Sequence, residues 1–358
     1  MRTVRDIPVF QDISILVRAA LNVPVENGNV TNDYRLRRAL LTVHFLAKRG
    51  AKVILISHLG EKGTETLAPV ARALGKLIPR VSFFGESIGK GARAAIRALV
   101  PGDILVLENL RRNKGEQEND RHFAKELASL GDIFVQDSFD TCHRRHASIV
   151  GVPTLLPSYA GLLLEEEVHE LKNALAPKKP SLAVIGGVKF ATKEGVLMTL
   201  LQIYDHVFVG GALANDFLKA AGREVGKSLV SNADPEHVRK LLKNPKLVLP
   251  IDFVIANEMI LDYGVGTSLL LAELVKKAKT ILWNGPLGNY ENGFVDATDA
   301  FARAVADSKA YSVVGGGDTV ASIEHLGLLP HFSFVSTGGG AMLDFLAKGT
   351  LPGIEVLG

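Results

Sequence analysis

Short apolar runs alternate with amphipathic stretches along the chain, and this alternation predicts its secondary structure. The first half carries the strand-like runs ISILVRA (13–19), AKVILIS (51–57), DILVLEN (103–109) and DIFVQDS (132–138). Helical apolar spacing lies between them, as in YRLRRALLTVHFLAKRG, TLAPVARALGKLI and DRHFAKELASLG. The second half continues with SLAVIGG, HVFVGG, KLVLPIDFVIA, KTILWNG, AYSVVGG and HFSFVST. Strands this apolar, separated by helices, predict an α/β fold of parallel β-sheets covered by helices on both faces.

Length and a proline-rich break divide the chain into two predicted domains. At 358 residues the chain is long for one domain. The segment SYAGLLLEEEVHELKNAL (158–175) has the apolar spacing of a helix, and PKKP (177–180) ends it because proline cannot continue a helix. We predict a first domain over 1–157, a linking helix over 158–176 and a second domain over 177–345.

The stretch YSVVGGGDTVAS (311–322) has the pattern of a phosphate-binding turn. A predicted buried strand is followed by three glycines, which permit a turn that residues with a Cβ could not easily make. Asp318 and Thr319 then open a predicted helix that either could cap. Such a helix N-terminus points backbone N–H groups at an anion, with Asp318 placed to meet a metal on the phosphates. The alternative is an ordinary βα turn, but FVSTGGGAML (334–343) repeats the pattern, which favours phosphate binding.

The residues best suited to chemistry follow the predicted strands directly. Ligands of parallel α/β sheets bind beyond the carboxyl ends of the strands. In the first half these ends carry Asn22, His58, Arg111 and Arg144. In the second half they carry Lys189, Gly210, Asn284, Asp318 and Gly338. This coincidence predicts one active-site cleft.

Composition and charge narrow the classes of function. Hydrophobic residues make up 47% and charged residues 22%, as in soluble globular proteins, and no apolar run suggests a signal peptide or membrane span. The single cysteine, Cys142, excludes an internal disulfide and suits a reducing cytoplasm. Residues 1–157 hold 23 Lys+Arg against 16 Asp+Glu, a net charge of +7, although the whole chain carries only +3. The positive charge of this half fits a nucleic-acid-binding surface, a binding site for a small polyanion, or solvated charged side chains without a specific partner.

The motifs, taken in order, resemble those of the phosphoglycerate kinases over nearly the whole chain. The matching stretches are NVP (22–24), DYRLR (33–37), GAKVILISHLG (50–60), LENLRRNKGE (107–116), DTCHRRHAS (140–148), GGVKFATK (186–193), EVGKSLV (224–230), WNGPLGNYE (283–291), GGGDTVAS (315–322) and STGGGA (336–341). The resemblance implies two Rossmann-like lobes joined by a helix. It makes 1–157 a triose lobe and 177–345 a Mg-nucleotide lobe, with the tail 346–358 packed back on the first.

The resemblance also implies an activity. The expected reaction is reversible phosphoryl transfer from 1,3-bisphosphoglycerate to ADP, giving 3-phosphoglycerate and ATP in glycolysis and gluconeogenesis. It would proceed by hinge closure of the lobes and by electrostatic stabilisation, with Mg²⁺ bound to ATP or ADP. We expect a cytoplasmic monomer that binds neither nucleic acid nor membrane.

Site residues are carried over from the resemblance position by position. The residues assigned to the triose and its phosphate are Asn22, Arg35, His58, Arg111 and Arg144. The residues assigned to catalysis are Arg35, Lys189, Lys193, Gly316 and Gly339. The residues assigned to the nucleotide are Lys193, Gly210, Gly211, Asn284, Glu291, Gly315, Gly316, Gly317, Asp318 and Thr319. Asp318 is also the assigned metal ligand. Arginine suits the triose side because its planar fork pairs with two phosphate oxygens.

Several positions depart from the family pattern, mostly on the triose side. Ala20 stands where an aspartate is expected to hydrogen-bond the substrate hydroxyl, and Glu61 and Lys62 stand where arginine and proline are expected. Asp140 and Cys142 replace small residues.

On the nucleotide side, Ala212 replaces a glycine near the adenine pocket, and the stretch 256–267 looks shortened. The departures leave two alternatives open. One is a related kinase acting on another small acid or acyl phosphate, and the other is a non-catalytic nucleotide-binding homologue.

Overall fold

The computed structural model describes residues 1–188 and 190–358 and divides the chain into two compact units. One unit contains Met1–Val168 and Thr350–Gly358, and the other contains His169–Gly349. Each has its own six-stranded parallel β-sheet with flanking helices, so the predicted two-lobe α/β fold is confirmed. Lys189, one of the predicted site residues, lies outside the described residues.

The parallel sheet of the first unit contains the four predicted strands and two more, and the unit also has a two-stranded hairpin. Its strands are β1 (Ser14–Ala19), the hairpin strands β2 (Val25–Glu26) and β3 (Asn29–Val30), β4 (Lys52–Ile56), β5 (Val81–Phe84), β6 (Ile104–Leu107), β7 (Ile133–Asp137) and β8 (Ser158–Ala160). Its helices are α1 (Tyr34–Ala47), α2 (Ala68–Leu77), α3 (Gly89–Arg97), α4 (Lys114–Gln117) and α5 (Arg121–Ala128). The parallel sheet has the order β5-β6-β4-β1-β7-β8. Residues that follow β1, β4, β6 and β7 therefore meet at one edge of the sheet.

Both faces of this sheet are buried, which explains why its strands lack polar alternation. Ile15 and Val17 of β1 belong to the apolar cluster on one face, with Leu36 and Leu46 of α1. Leu16 belongs to the cluster on the other face, with residues of α3 and α5.

The second unit has the strand order of a doubly wound sheet. Its strands are β9 (Ser181–Ile185), β10 (His206–Val209), β11 (Leu247–Val248), the hairpin strands β12 (Phe253–Ala256) and β13 (Met259–Tyr263), β14 (Thr280–Asn284), β15 (Tyr311–Gly315) and β16 (Phe334–Val335). Its helices, after α6 (Leu162–Ala174), are α7 (Glu194–Ile203), α8 (Leu213–Ala220), α9 (Pro235–Leu242), α10 (Val265–Lys277), α11 (Asp296–Ala306), α12 (Gly317–His325) and α13 (Gly340–Lys348). The sheet order β11-β10-β9-β14-β15-β16 reverses direction between β9 and β14, where such sheets form their binding crevice.

One predicted strand of the second unit is wrong. KLVLPIDFVIA forms two short strands, β11 in the main sheet and β12 in a separate antiparallel hairpin with β13. Pro250 lies between them, and because proline has no N–H it cannot continue a ladder of hydrogen bonds. The apolar run alone did not show this change of sheet.

The predicted linking helix begins later than expected. Residues 158–160 form β8, which pairs with β7, and α6 starts only at Leu162. Asp137, at the end of β7, accepts hydrogen bonds from the N–H groups of Leu163 (3.0 Å) and Leu164 (3.2 Å). A carboxylate at this position satisfies free N–H groups of the first turn, so α6 starts where Asp137 can reach it.

The C-terminal residues belong to the first unit. They form the short helix α14 (Pro352–Glu355), and the Gly353 N–H donates to the Cys142 carbonyl at 2.9 Å. A Cβ on Gly353 would lie 3.0 Å from Cys142 Sγ, so the backbone passes close over this buried thiol. The predicted tail began at 346, which lies inside α13.

Among the described helices, none combines the length and apolar character needed to span a membrane.

Candidate active site

A buried arginine organises the carboxyl end of β1. Arg18 lies in an apolar strand, and only 1% of it is exposed. Its Nε donates to Ser148 Oγ (3.0 Å) and its Nη1 to the Ala19 carbonyl (3.0 Å). Its Nη2 lies 3.0 Å from His58 Nδ1. A buried cation is costly unless its donors are paired, so these contacts fix Arg18 and its neighbours in place. Arg18 was not among the site residues predicted from the sequence. A charged residue inside an apolar strand was the feature that could have identified it.

Arg18 sets the hydrogen-bonding role of His58. Because arginine can only donate, His58 Nδ1 accepts, and the neutral ring carries its proton on Nε2. Burial lowers the pKa of His58 well below its usual value, and the charges of Arg18, Arg111 and Arg144 lower it further. His58 is therefore a neutral hydrogen-bond donor at physiological pH, a form that can bind an anion without exchanging a proton.

Arg111 is buried at the end of β6 with part of its guanidinium unused. Its side chain is 1% exposed, its Nη1 donates to the Gly60 carbonyl and lies 3.1 Å from Glu61 Oε2. Its Nε and Nη2 are buried without a hydrogen-bond partner among the described residues. Buried donors nearly always have partners, so these two atoms indicate a site for an anion.

Arg35 and Asn22 connect the loops that follow β1 and β4. Arg35 lies in the first turn of α1, and its Nη1 donates to the Asn22 carbonyl at 2.8 Å. Asn22 Oδ1 accepts from the Gly60 N–H at 3.2 Å. Arg35 Nη1 is also 3.8 Å from Asp140 Oδ2, in the turn after β7. The same residues thus tie three strand ends together.

Arg144 completes the cationic group. It follows β7, its backbone N–H donates to the Thr141 carbonyl at 2.9 Å, and its Nη2 lies 3.7 Å from Glu61 Oε1. Burial and the nearby charges of Arg144 and Arg111 lower the pKa of His146 to about 4, which makes this histidine neutral as well. The structure therefore brings together all five predicted triose residues of the first unit.

In the second unit, backbone segments approach closely at the carboxyl edge of the sheet. A Cβ on Gly186, after β9, would overlap the Pro286 carbonyl oxygen. A Cβ on Gly211, after β10, would lie 2.6 Å from Gly187 N. Gly316 has a φ of +104°, which residues with a side chain rarely adopt. These glycines let the turns after neighbouring strands pack together at the point where the strand order reverses.

Lys193 is buried beside these turns. It follows the 3₁₀ turn Phe190–Thr192 and precedes α7, and its Nζ donates to the Gly186 carbonyl. A Cβ on Gly187 would lie 2.6 Å from Nζ, so glycine makes room for the ammonium group. Burial lowers the pKa of Lys193 to about 8, and the charge of Asp318 opposes this shift.

Neither predicted capping residue caps α12. Gly316 occupies the N-cap position, and Thr319 Oγ1 instead accepts from the Gly285 N–H at 3.0 Å, in the turn after β14. Desolvation raises the pKa of Asp318, the charge of Glu291 raises it further, and Lys193 lowers it. Asp318 therefore lies within electrostatic reach of both Glu291 and the buried Lys193.

Other residues predicted for the nucleotide or for catalysis lie at the same carboxyl edge of the sheet. Gly315 ends β15 and pairs with Asn284, whose Nδ2 lies 3.5 Å from Met342 Sδ. Gly317 begins α12, and Gly339 precedes α13 with a φ of +51°. Helix N-termini at this edge leave N–H groups for an anion.

The amide of Gly338 already has a partner. Its N–H donates to Ser336 Oγ at 3.0 Å, within the stretch 334–343 that repeats the predicted phosphate-binding pattern.

A cavity of about 340 Å³ opens at the same edge of the second unit. Gly211, Glu291 and Asp318 line it, whereas Gly210 packs against Leu287. Its apolar lining includes Leu261, Tyr263 and Leu287, none of which we predicted. Its size suits a nucleoside rather than a macromolecule.

Among the described residues there is no cluster of three or more His, Cys, Asp or Glu that could hold a metal ion by itself.

Comparison with known proteins agrees with this geometry. Residues 4–349 match the phosphoglycerate kinase family. The phosphoglycerate kinase of Xanthobacter flavus is 42% identical, over 99% of this chain and 98% of the relative. The solved structure of phosphoglycerate kinase from Coxiella burnetii is 40% identical with a TM-score of 0.84, over 99% of this chain and 98% of that one. The enzyme from Pyrococcus horikoshii OT3 is 31% identical with a TM-score of 0.90, over 100% and 98%.

The chain belongs to the phosphoglycerate kinase family. Membership makes it an enzyme, a kinase of glycolysis that transfers a phosphoryl group reversibly, and the resemblance found in its motifs is confirmed. The comparisons do not support a related kinase with another substrate or a non-catalytic homologue.

At two positions that depart from the phosphoglycerate kinase pattern, a carboxylate forms ion pairs with arginines of the first unit. Glu61 is 72% exposed, and its two oxygens lie near Arg111 and Arg144. Asp140 is 7% exposed at its side chain and faces Arg35. Ala20, in contrast, is buried and adds no polar side-chain atom.

Three further departures can be located in the structure. Cys142 is buried where the C-terminal residues return, and burial raises the pKa of its thiol. Ala212 lines the cavity. The shortened stretch is the β12–β13 hairpin, whose two-residue turn places Asn257 and Glu258 at φ values of 52° and 61°. Two consecutive residues with positive φ are typical of a tight type I′ turn.

Proposed function

We propose that the chain transfers a phosphoryl group from 1,3-bisphosphoglycerate to ADP, and in reverse from ATP to 3-phosphoglycerate. The observation that carries this proposal is the buried guanidinium of Arg111, whose Nε and Nη2 lack partners among the described residues. A phosphate can accept both donors of such a planar fork at once. His58 lies near both Arg111 and Arg144, since burial lowers its pKa and the charges of these two arginines lower it further.

The triose binds the first unit in this proposal. Arg111, Arg144 and the Nε2–H of His58 hold the phosphate that is not transferred. Arg35 and Asn22 hold the acid end, because they lie together at the loop after β1. Arg35 then lies nearest to the phosphoryl group in transfer.

The nucleotide binds the second unit. Its base and ribose occupy the cavity lined by Tyr263 and Leu287, where Glu291 accepts from the ribose hydroxyls. Its phosphates meet Lys193 and the N–H groups that begin α12. The set proposed to surround the nucleotide is Lys193, Gly210, Gly211, Asn284, Glu291, Gly315, Gly316, Gly317, Asp318 and Thr319.

The donors at Asp318 fit Mg²⁺ carried by a nucleotide. Magnesium is usually held by one or two carboxylates together with substrate phosphates and water. Asp318 lines the cavity within electrostatic reach of Glu291, which agrees with that pattern. The bound ion would neutralise charge on the β- and γ-phosphate oxygens.

Catalysis then depends on position and charge. Charge spreads over the three equatorial oxygens of the phosphoryl group in transfer, so donors placed around it lower the barrier. We assign this role to Arg35, Lys193 and the amides at Gly316 and Gly339, with Lys189, which lies outside the described residues, as a further cation.

A coupled assay with 3-phosphoglycerate, Mg²⁺ and ATP tests the function. We expect turnover that stops when Mg²⁺ is chelated and resumes when it is restored. A folded preparation that binds Mg-ADP but shows no turnover above a blank would contradict the proposal.

We expect substrate binding to make the particle more compact. The triose residues lie in one unit and the nucleotide residues in the other, and direct transfer requires their ligands to meet with water excluded. Small-angle scattering with 3-phosphoglycerate and Mg-ATP together should give a smaller radius of gyration than either ligand alone. The same curves give the mass, for which we expect a monomer, and we place the enzyme in the cytoplasm. An unchanged radius at saturation would argue against hinge closure.

Replacing Glu61 with arginine should lower KM for 3-phosphoglycerate several-fold and leave KM for ATP nearly unchanged. Glu61 competes with a phosphate for Arg111 and Arg144. A carboxylate about 5 Å from a substrate negative charge costs roughly 3 kcal/mol at an effective dielectric constant of 20. Glu61 is largely exposed, so water and rotation reduce the cost to about 1 kcal/mol or less.

The variant Glu61→Gln separates the two contributions. It removes the competing charge without adding a cation, so it should produce part of the gain in KM. The gain should shrink as salt is added if it is Coulombic. Weaker binding of 3-phosphoglycerate in Glu61→Arg would instead mean that Glu61 contacts the substrate.

A further inference from the structure

A buried carboxylate lies among the arginines of the first unit. Asp140 belongs to the 3₁₀ turn Phe139–Thr141, directly after β7, and its side chain is only 7% exposed. Ser138 Oγ donates to Asp140 Oδ1 at 2.5 Å. The second oxygen, Oδ2, lies 3.8 Å from Arg35 Nη1, which is beyond hydrogen-bond distance. Oδ2 thus keeps its capacity to accept a hydrogen bond.

The charge of Asp140 opposes the binding of an anion. Burial lowers the pKa of Arg18, and the charges of Glu116 and Asp140 oppose that shift. Burial raises the pKa of Cys142, and the charge of Asp140 adds to it. A phosphorylated acid bound by Arg35 and Arg111 would be repelled by such a carboxylate. A direct attractive contact between Asp140 and the substrate therefore requires a hydrogen-bond donor on the substrate.

The position of Asp140 brings it to the acid end of the site. In the register of the sheet Ala19 of β1 pairs with Asp137 of β7, so the loops that follow these strands start side by side. Ala20 is the first residue of one loop and brings no polar side-chain atom. The turn that carries Asp140 is in the other loop, and Arg35 contacts both loops through Asn22 and Asp140.

We propose that Asp140 Oδ2 accepts a hydrogen bond from the 2-hydroxyl group of the triose substrate and so selects for 2-hydroxy acids. This rests on the proposed function. The ionised carboxylate and the dianionic phosphate of 3-phosphoglycerate can only accept, which leaves its 2-hydroxyl as the donor. An O–H group that donates to a carboxylate makes a short, strong hydrogen bond. Arg35 then holds the substrate carboxylate next to the same carbon.

The test compares two ligands of equal charge, 3-phosphoglycerate and its 2-deoxy analogue, by calorimetry. Because both carry the same charge, repulsion from Asp140 cancels in the ratio of their Kd values. We expect the wild type to prefer the hydroxylated ligand by roughly 10- to 100-fold, the worth of one hydrogen bond to a charged group. Asp140→Ala should reduce the preference to within about threefold, and Asp140→Asn, which keeps a neutral acceptor, should lie between.

A second variant supplies a gain of function. Adding Ala20→Asp to Asp140→Ala puts a carboxylate on the neighbouring loop and should restore most of the preference. The Kd for Mg-ADP and the circular dichroism spectrum should stay unchanged in every variant, since the second unit is untouched.

Three results would overturn the proposal. An unchanged ratio in Asp140→Ala would show that Asp140 does not contact the hydroxyl. Equal gains for both ligands would show that Asp140 only repels anions or restrains Arg35. If the wild type bound neither ligand, the proposed function would fail together with this inference, whereas the first two results leave that function intact.

Discussion

Replacing Arg35 with alanine should lower kcat on the order of 10³-fold and change KM for 3-phosphoglycerate much less. The guanidinium is held by the Asn22 carbonyl at 2.8 Å, so its direction is fixed before substrate binds. A donor fixed in this way stabilises charge that develops in the transition state without paying for reorganisation. Loss of an interaction made only in the transition state lowers kcat and kcat/KM together.

Arg37 provides a matched control on the same helix. It is 62% exposed and pairs with Asp33, four residues earlier in the chain, at 2.8 Å. Arg37→Ala should keep kcat within about twofold of wild type, since exposed ion pairs contribute little. Steady-state kinetics with both substrates varied separates the two cases. If Arg35→Ala kept more than about half of the wild-type kcat, Arg35 would have no part in the transfer step.

The apolar runs were sufficient to predict the two sheets because strands buried on both faces have no polar positions. The same rule explains the errors. Residues 158–160 are a buried edge strand next to a helix, and their apolar character fits either element. The run KLVLPIDFVIA contributes β11 to the main sheet before Pro250 and β12 to a separate hairpin after it. A local pattern of hydrophobicity does not distinguish these two sheets.

The members of the candidate site could be predicted where they directly follow a strand. Residues at strand ends share one edge of a parallel sheet, so Asn22, His58 and Arg111 could be grouped before any contact was known. The contacts between side chains were not predictable in this way. Glu61 on Arg111 and Asp140 on Arg35 depend on loop geometry and side-chain direction, as does the wall of the cavity.

Replacing Lys193 with methionine should lower kcat by about 10²- to 10³-fold, the usual cost of losing one well-placed donor to developing charge. Methionine keeps the length and buries well, so the change isolates the loss of the ammonium group. Because Nζ already donates to the Gly186 carbonyl, the cation is held at the glycine turn before nucleotide binds. Transient kinetics of a single turnover would measure the transfer step directly.

The pH dependence of nucleotide binding tests the same residue through a second property. Burial lowers the pKa of Lys193 to about 8, so the free enzyme loses this charge as pH rises through 8. Bound phosphates favour the protonated form and raise its pKa in the complex, so binding above pH 8 takes up a proton. The affinity for Mg-ADP should therefore fall between pH 8 and 9.5, by up to about tenfold per pH unit. In Lys193→Met the affinity should be weaker at pH 7.5 and nearly flat over this range. Parallel pH profiles for the two proteins would show that Lys193 does not carry the charge that meets the phosphates.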